Sequence, residues 1–164
     1  MMLTTKGRYA VMAVVDIAAQ DSDSPIGLSD IAKRQDVKIA YLEQIVSKLR
    51  VKGILKSVRG PGGGYKLNKK CVEITIAEVI NAIEEPIKMT RCGTKNGCRD
   101  NNVKCSTHEL WQGLGDNIYN YLNSITIRDV CDGNINQICE EDKRNDSAEI
   151  SFSNVENNFS ERVH

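Results

Sequence analysis

Aromatic side chains make up only 5% of this 164-residue chain: one tryptophan, five tyrosines and two phenylalanines. So small a supply leaves little surface on which single-stranded bases could stack, and that class of RNA binder is disfavoured. Histidine is scarcer still, at two residues, His108 and His164. No Ser-His-Asp grouping and no pair of carboxylates in a folded cleft can be assembled from the spacing, so the chain is not read as an enzyme. Long apolar runs are absent. The longest, Tyr9 to Val15, is interrupted by Asp16, far short of the roughly 20 residues a bilayer helix needs, and no membrane span is expected. Lys6 and Arg8 precede that run as basic residues precede a secretory signal, but the apolar part barely reaches the minimum length and the downstream sequence does not read as a disulfide scaffold. A cytoplasmic protein is expected. Net charge is also missing, since 22 Lys and Arg balance 22 Asp and Glu.

That balance conceals a division. Residues 1–70 carry 13 basic and 6 acidic side chains, a charge of +7, and residues 71–164 carry 9 and 16, a charge of −7. A basic unit joined to an acidic remainder points toward nucleic acid. Six cysteines are present, Cys71, Cys92, Cys98, Cys105, Cys131 and Cys139, and three of them fall between positions 92 and 105. In a reducing compartment such clustering favours metal over disulfides.

Hydrophobic periodicity sets out the elements. Thr5 to Gln20 reads as a largely buried helix, polar only at Asp16 and the ends. Pro25 and Gly27 punctuate, and Leu28 to Gln35 forms a short helix with Ile31 and Ala32 inward and Ser29 as its cap. After a tight connection, Leu42, Ile45, Val46 and Leu49 mark a third helix from about Ala40 to Lys52, closed by Gly53. Two helices joined by so short a turn form a helix-turn-helix. Ile54 to Arg59 and Tyr65 to Leu67 read as strands flanking Gly60-Pro61-Gly62-Gly63-Gly64, a hairpin wing. Thr75 and Glu78 have capping-box spacing, with Ile74 and Val79 as a staple, at the start of a fourth helix that should stop near Pro86. Met89 to Lys104 shows no periodicity, and a loop of that length usually has a function. Ser106 and Glu109 again suggest a capping box, before a fifth helix whose Trp111, Leu114, Ile118, Tyr121 and Ile125 repeat at intervals of 3 and 4, a seam suited to a subunit interface. Thr126 to Val130 adds a short helix, and beyond Asp132 the apolar residues are too sparse to offset ordering entropy.

The expected protein is therefore mainly α with a small β-hairpin wing. A winged helix-turn-helix domain occupies 1–86, a metal-binding loop 87–108, a dimerisation helix with a short helix 109–131, and a disordered acidic and polar tail 132–164.

Two sets of residues carry chemistry. Ala40, Tyr41, Glu43, Gln44 and Lys48 lie on faces of the third helix left free by its core positions, and Tyr41, Gln44 and Lys48 align at i, i+3 and i+7. Glutamine reads adenine bidentately in a major groove, and lysine and tyrosine reach phosphates or guanine. Alone, this is also the solvated face that any amphipathic helix must have. The wing changes the balance: Arg59, with Gly60 beside it, stands where it can enter a minor groove, flanked by Lys56 and Lys66. Double-stranded DNA is the expected partner. A phosphate-cradling P-loop is excluded, because the required Lys and Ser or Thr are missing after Gly64. The second set, Cys92, Cys98, Cys105 and His108, is spaced C-x5-C-x6-C-x2-H. Three thiolates and an imidazole suit an iron–sulfur cluster, a structural zinc ion or, unmetallated, a set of redox thiols; only the Cys105–His108 half has ordinary zinc spacing. Cys71, Cys131 and Cys139 are scattered and read as buried or idle thiols.

Four segments carry a resemblance: Leu3-Thr4-Thr5-Lys6-Gly7-Arg8-Tyr9-Ala10, Tyr41-Leu42-Glu43-Gln44, Val58-Arg59-Gly60-Pro61-Gly62-Gly63-Gly64-Tyr65, and Arg91-Cys92 through Cys105-Ser106-Thr107-His108. Together they resemble the bacterial winged-helix regulators typified by the iron–sulfur cluster regulator IscR, whose sisters include the nitric-oxide sensor NsrR and the iron regulator RirA. The likeness runs from residue 3 to about 131. It implies a homodimer that binds promoter DNA and represses or activates genes, including those for cluster assembly, acting with RNA polymerase where it activates. It further implies a 2Fe-2S cluster on Cys92, Cys98, Cys105 and His108, the histidine marking the IscR type among its sisters. Tyr41, Glu43, Gln44 and Arg59 match DNA-contacting or specificity positions, and Glu43 matches a residue that restricts the promoters open to the cluster-free form. A carboxylate in a groove rejects phosphate and most base edges, which is physically consistent with that role. Two departures stand out: one extra residue between Cys98 and Cys105, and Lys38 and Ala40 where serines are common.

Overall fold

The structure is a computed structural model that describes residues 5–20, 24–83 and 103–135. The chain divides into a unit spanning Met1–Gly133 and a second, Asn134–His164; the expected tail beyond residue 135 lies outside the described residues, as do residues 84–102, which include most of the expected metal-binding loop 87–108.

Helix α1, Thr5–Ala19, buries Ala10, Ala13, Val14 and Ile17 on one face and leaves Val11, Met12 and Val15 half-exposed, so it is less enclosed than its composition suggests. Its Asp16 is buried, with a side chain 4% exposed. A buried carboxylate needs partners. Arg34 supplies Nε–H bonds of 3.1 Å to both carboxylate oxygens and Gln35 an Nε2–H bond of 2.8 Å, which ties α1 to α2, Leu28–Gln35. Helix α2 begins after Gly27, whose backbone is extended, and not at a capping Ser29; Ser29 lies within the helix and is exposed. Asp36, at φ 51°, ends it in the left-handed conformation. Helix α3, Ile39–Val51, then buries Leu42, Ile45, Val46 and Leu49, the stripe expected from spacing.

Gly53, at φ 75°, turns the chain out of α3. Strand β1, Leu55–Val58, pairs antiparallel with β2, Gly64–Leu67, in the register Leu55 to Leu67 and Val58 to Gly64. Arg59 lies beyond the strand end, at the exposed tip. On its other edge β2 meets the segment before α2: Ile26 and Tyr65 exchange N–H to O bonds of 3.0 and 2.9 Å. This contact demands glycine at 64, because a Cβ there would lie 2.2 Å from the Ile26 carbonyl oxygen. The β2 strand of the wing is thus tied to the segment before α2.

A 3-10 turn, Cys71–Glu73, leads to α4, Ile76–Ala82. Thr75 caps it by accepting the Glu78 N–H at 3.1 Å, but the Glu78 carboxylate bonds Lys69 at 2.6 Å instead of completing the box. Ile76, Val79, Ile80 and Ile83 form the buried stripe. The helix ends at Ala82, ahead of the expected stop at Pro86, which lies outside the described residues.

Helix α5, His108–Ser124, comes after a turn closed by the His108 N–H to the Cys105 carbonyl at 3.1 Å. Its N-cap is Thr107, not Ser106, and the Thr107 hydroxyl accepts the Trp111 indole N–H at 3.2 Å. Among the residues of α5, His108 alone is buried. Ile125, expected as the end of the seam, instead leaves the helix and enters the core at 4% exposure. The cause is a short antiparallel pairing in which Ile76 N–H donates to Ile125 O and Ile127 N–H to Ile74 O, each at 2.9 Å. A reciprocal Thr126–Asp129 capping box starts α6, Ile127–Asp132, which packs on α1 and closes on Gly133.

Candidate nucleic-acid interface and metal centre

The fold presents α3 and the wing together. On α3, Ala40, Glu43 and Gln44 are exposed and Tyr41 is half-buried, with its ring 5.9 Å from that of Tyr9 on α1 at an interplanar angle of 83°. The helix N-cap, Lys38, makes no side-chain capping bond, so the amides at the very start of α3 have no side-chain acceptor from that cap, an arrangement that favours phosphate. Lys48, the last of the expected α3 contact residues, also reaches the end of α4. It is half-buried, and its Nζ donates to the Ile83 carbonyl at the end of α4, at 3.4 Å. A lysine near the last carbonyls of a helix is electrostatically favourable.

At the wing tip Arg59 and Gly60 are both exposed. Gly60, at φ 112°, and the Gly63 N–H to Gly60 O bond of 2.9 Å set a tight turn that projects Arg59 away from the body. Lys56 and Lys66 sit opposite each other on the two strands. A reading helix beside a projecting basic tip can engage a major groove and an adjacent minor groove.

Two of the four candidate metal ligands, Cys92 and Cys98, lie outside the described residues. Cys105 is half-buried and its sulfur lies 3.7 Å from the Thr107 hydroxyl. His108, on the first turn of α5, is only 1% exposed, and among the described residues neither ring nitrogen has a hydrogen-bond partner. An unsatisfied buried imidazole carries a desolvation penalty of about 1–3 kcal/mol that a metal bond to one nitrogen would relieve. The donor chemistry at this end of the site therefore fits a thiolate- and imidazole-held group.

The other described cysteines are not brought to this place. Cys71 lies in the 3-10 turn and Cys131 on α6. Burial of its sulfur, then Cys71 and Asp132 nearby, push the Cys131 thiol up, although the residue as a whole is exposed, so it is a poor thiolate nucleophile at neutral pH. The sequence placed Tyr9 on a helix face and in the first stretch of the resemblance but did not show its ring contact with Tyr41, nor that the His108 ring nitrogens lack a hydrogen-bond partner among the described residues.

Comparison with known proteins decides the family. Residues 3–133 match the family model Rrf2, described as iron-dependent transcriptional regulator. The chain belongs to the Rrf2 family. Within it, the HTH-type transcriptional regulator IscR of Cronobacter sakazakii is 48% identical over 127 residues, 77% of this chain and 78% of that protein. The IscR of Yersinia pseudotuberculosis is 47% identical over 130 residues, 79% of each. Among solved structures, T. potens IscR superposes with a TM-score of 0.68 at 32% identity, covering 81% of this chain and 88% of the other. CymR, the global cysteine regulator of B. subtilis, gives 0.69 at 32% identity, covering 80% and 97%. The mainly helical fold with its two-stranded wing is thus that of Rrf2 proteins, and this chain is a DNA-binding transcription regulator, not an enzyme. No described helix is long and apolar enough to cross a membrane.

Proposed function

We propose that this Rrf2 protein is a cytoplasmic homodimer that senses iron–sulfur cluster supply through a 2Fe-2S cluster on Cys92, Cys98, Cys105 and His108, and so represses or activates genes that include those for cluster assembly. The observation that carries the cluster reading is His108: a deeply buried imidazole, with both nitrogens unsatisfied among the described residues, three positions after a cysteine. The names of the relatives, at 47–48% identity, support it. When bound, the cluster supplies a redox-active centre with a charge that differs from that of the empty ligands. Thiolate and anionic charge are favoured where His108 opens α5, at a helix N-terminus.

DNA reading is assigned to Ala40, Tyr41, Glu43, Gln44 and Lys48 on α3 with Arg59 and Gly60 on the wing. Lys48 serves this set by holding α3 to the end of α4, as its bond to Ile83 supports. The homodimer is supported by α5, where Leu110, Leu114 and Tyr121 are 63%, 36% and 40% exposed in a single chain. An apolar stripe of that kind needs a partner, and a two-fold dimer would set two copies of α3 on the half-sites of a palindrome. Contact with RNA polymerase at activated promoters completes the proposal.

The test is binding of the full chain, with and without cluster, to a duplex that it selects from a randomised library. The reading expects an affinity that falls steeply with salt and a Cys92→Ser variant that no longer distinguishes promoter classes as the loaded protein does. Unchanged affinity of that variant for every class would contradict cluster sensing. Retention of the cluster by His108→Ala would instead indicate a sister sensor, of nitric oxide or iron.

A further inference from the structure

Tyr9 lies on α1, outside every residue set assigned above to DNA or metal. Its ring nonetheless meets Tyr41 of the reading helix edge-on, with centroids 5.9 Å apart and planes at 83°. This is the T-shaped arrangement in which the positive edge of one ring faces the negative face of the other. Both residues are half-buried. Tyr41 is therefore in contact with α1 through its ring and still partly exposed.

The start of α3, moreover, lacks the usual side-chain anchor: Lys38 occupies the N-cap and makes no capping bond, Ile39 is 46% exposed and Ala40 is exposed. The Tyr41 N–H reaches only the Lys38 carbonyl, at 3.0 Å. The first buried α3 residue is Leu42. The ring contact from Tyr9 therefore adds a restraint on Tyr41 from outside α3, and a tyrosine already ordered before it reads a groove loses less freedom on binding.

We infer that Tyr9 is a positioning residue for DNA readout, holding the Tyr41 ring from α1 in the rotamer that reads the groove. The inference rests on the proposal that Tyr41 touches DNA. It assigns α1 a part in sequence discrimination, while the phosphate contacts that set general affinity remain with the basic side chains.

The experiment uses the full chain and the duplex selected from a randomised library, with a scrambled duplex of equal length as the non-specific probe. Tyr9→Leu is expected to lower affinity for the selected duplex by about 2- to 10-fold, the range set by an aromatic pair, with affinity for the scrambled duplex and the salt slope unchanged. Tyr9→Phe keeps the ring and is expected to bind as the parent does. Tyr41→Leu should lose at least as much as Tyr9→Leu, and the double variant should lose no more than Tyr41→Leu alone. Tyr9→Met, which fills the space without an aromatic edge, replaces Tyr9→Leu if the latter does not fold. A purely structural role would lower both affinities together with the melting temperature, and would overturn the inference. So would a Tyr9→Phe loss equal to that of Tyr9→Leu, which would make the hydroxyl a direct contact. Loss on Tyr41→Leu without loss on Tyr9→Leu refutes the positioning role alone; no loss on Tyr41→Leu refutes the reading on which it rests.

Discussion

Asp16 shows how one residue can hold two helices and record pH. Its burial raises the carboxyl pKa, but hydrogen bonds from Arg34 and Gln35, then the Arg34 charge, outweigh that and hold it below the ordinary carboxylate range. A group depressed in the folded state contributes its full stability above its unfolded pKa, about 3.9, and loses it as pH falls through the folded value. Chemical denaturation from pH 7 down should show this contribution flat to about pH 4 and vanishing below, and Asp16→Asn should remove that dependence. The two sides of the pair are unequal. Arg34, 39% exposed, can turn to water when Asp16 is replaced, so Asp16→Asn should cost about 1–2 kcal/mol. Arg34→Met strands the buried carboxylate on Gln35 and should cost about 3 kcal/mol; equal losses measured in urea would contradict the asymmetry. Gly64→Ala is a second residue-scale test. The added methyl would meet the Ile26 carbonyl at 2.2 Å, a backbone clash that should displace the wing, lower stability by about 1–3 kcal/mol and weaken duplex binding. Gly60→Ala meets open space and carries only the strain of φ 112°, so a larger loss there than at 64 would count against this geometry.

Among elements, those with strong periodicity were legible in the sequence. Leu28–Gln35 and the α3 stripe of Leu42, Ile45, Val46 and Leu49 appear where the spacing puts them, because one buried face at 3.6-residue spacing is a signal the chain carries locally. Caps were less legible. Ser29 and Ser106 have the right chemistry, yet Gly27 and Thr107 take those positions, since the partners that decide them, the Ile26–Tyr65 bridge and the Trp111 indole, belong to tertiary structure. The α5 seam failed at Ile125 for the same reason: pairing with residues 74–76 draws it into the core, which no heptad count contains. The bond from Lys48 to the α4 terminus is another tertiary contact that spacing does not carry. What remains exposed on α5 yields an element-scale prediction. Leu114→Glu combined with Leu110→Glu should leave the fold intact but shift micromolar protein to monomer in sedimentation velocity. Specific duplex affinity should fall by more than about 10-fold, because two half-sites no longer act together. A dimer unaffected by both charges would place the interface elsewhere.

For the whole molecule, the division of charge and the division of labour agree. The +7 of residues 1–70 covers α3 and the wing, and the candidate ligands fall in the −7 remainder. The family is established by the match over residues 3–133, whereas the ligand set was legible as Cys and His spacing without deciding which group it holds. Thiolates and one imidazole suit more than one metal, and what the structure adds is a buried His108 with no hydrogen-bond partner among the described residues. Arg59→Ala should reduce the slope of log affinity against log salt by about 1, with non-specific duplex also weakened, if the wing tip neutralises one phosphate. The most direct measurement is a visible absorption spectrum of anaerobically purified full-length protein, with iron, sulfide and zinc assayed on the same sample. The account predicts charge-transfer bands with about two irons and two sulfides per chain, lost in Cys92→Ser. A colourless protein holding one zinc per chain would contradict it and leave a DNA-binding regulator built around a structural metal.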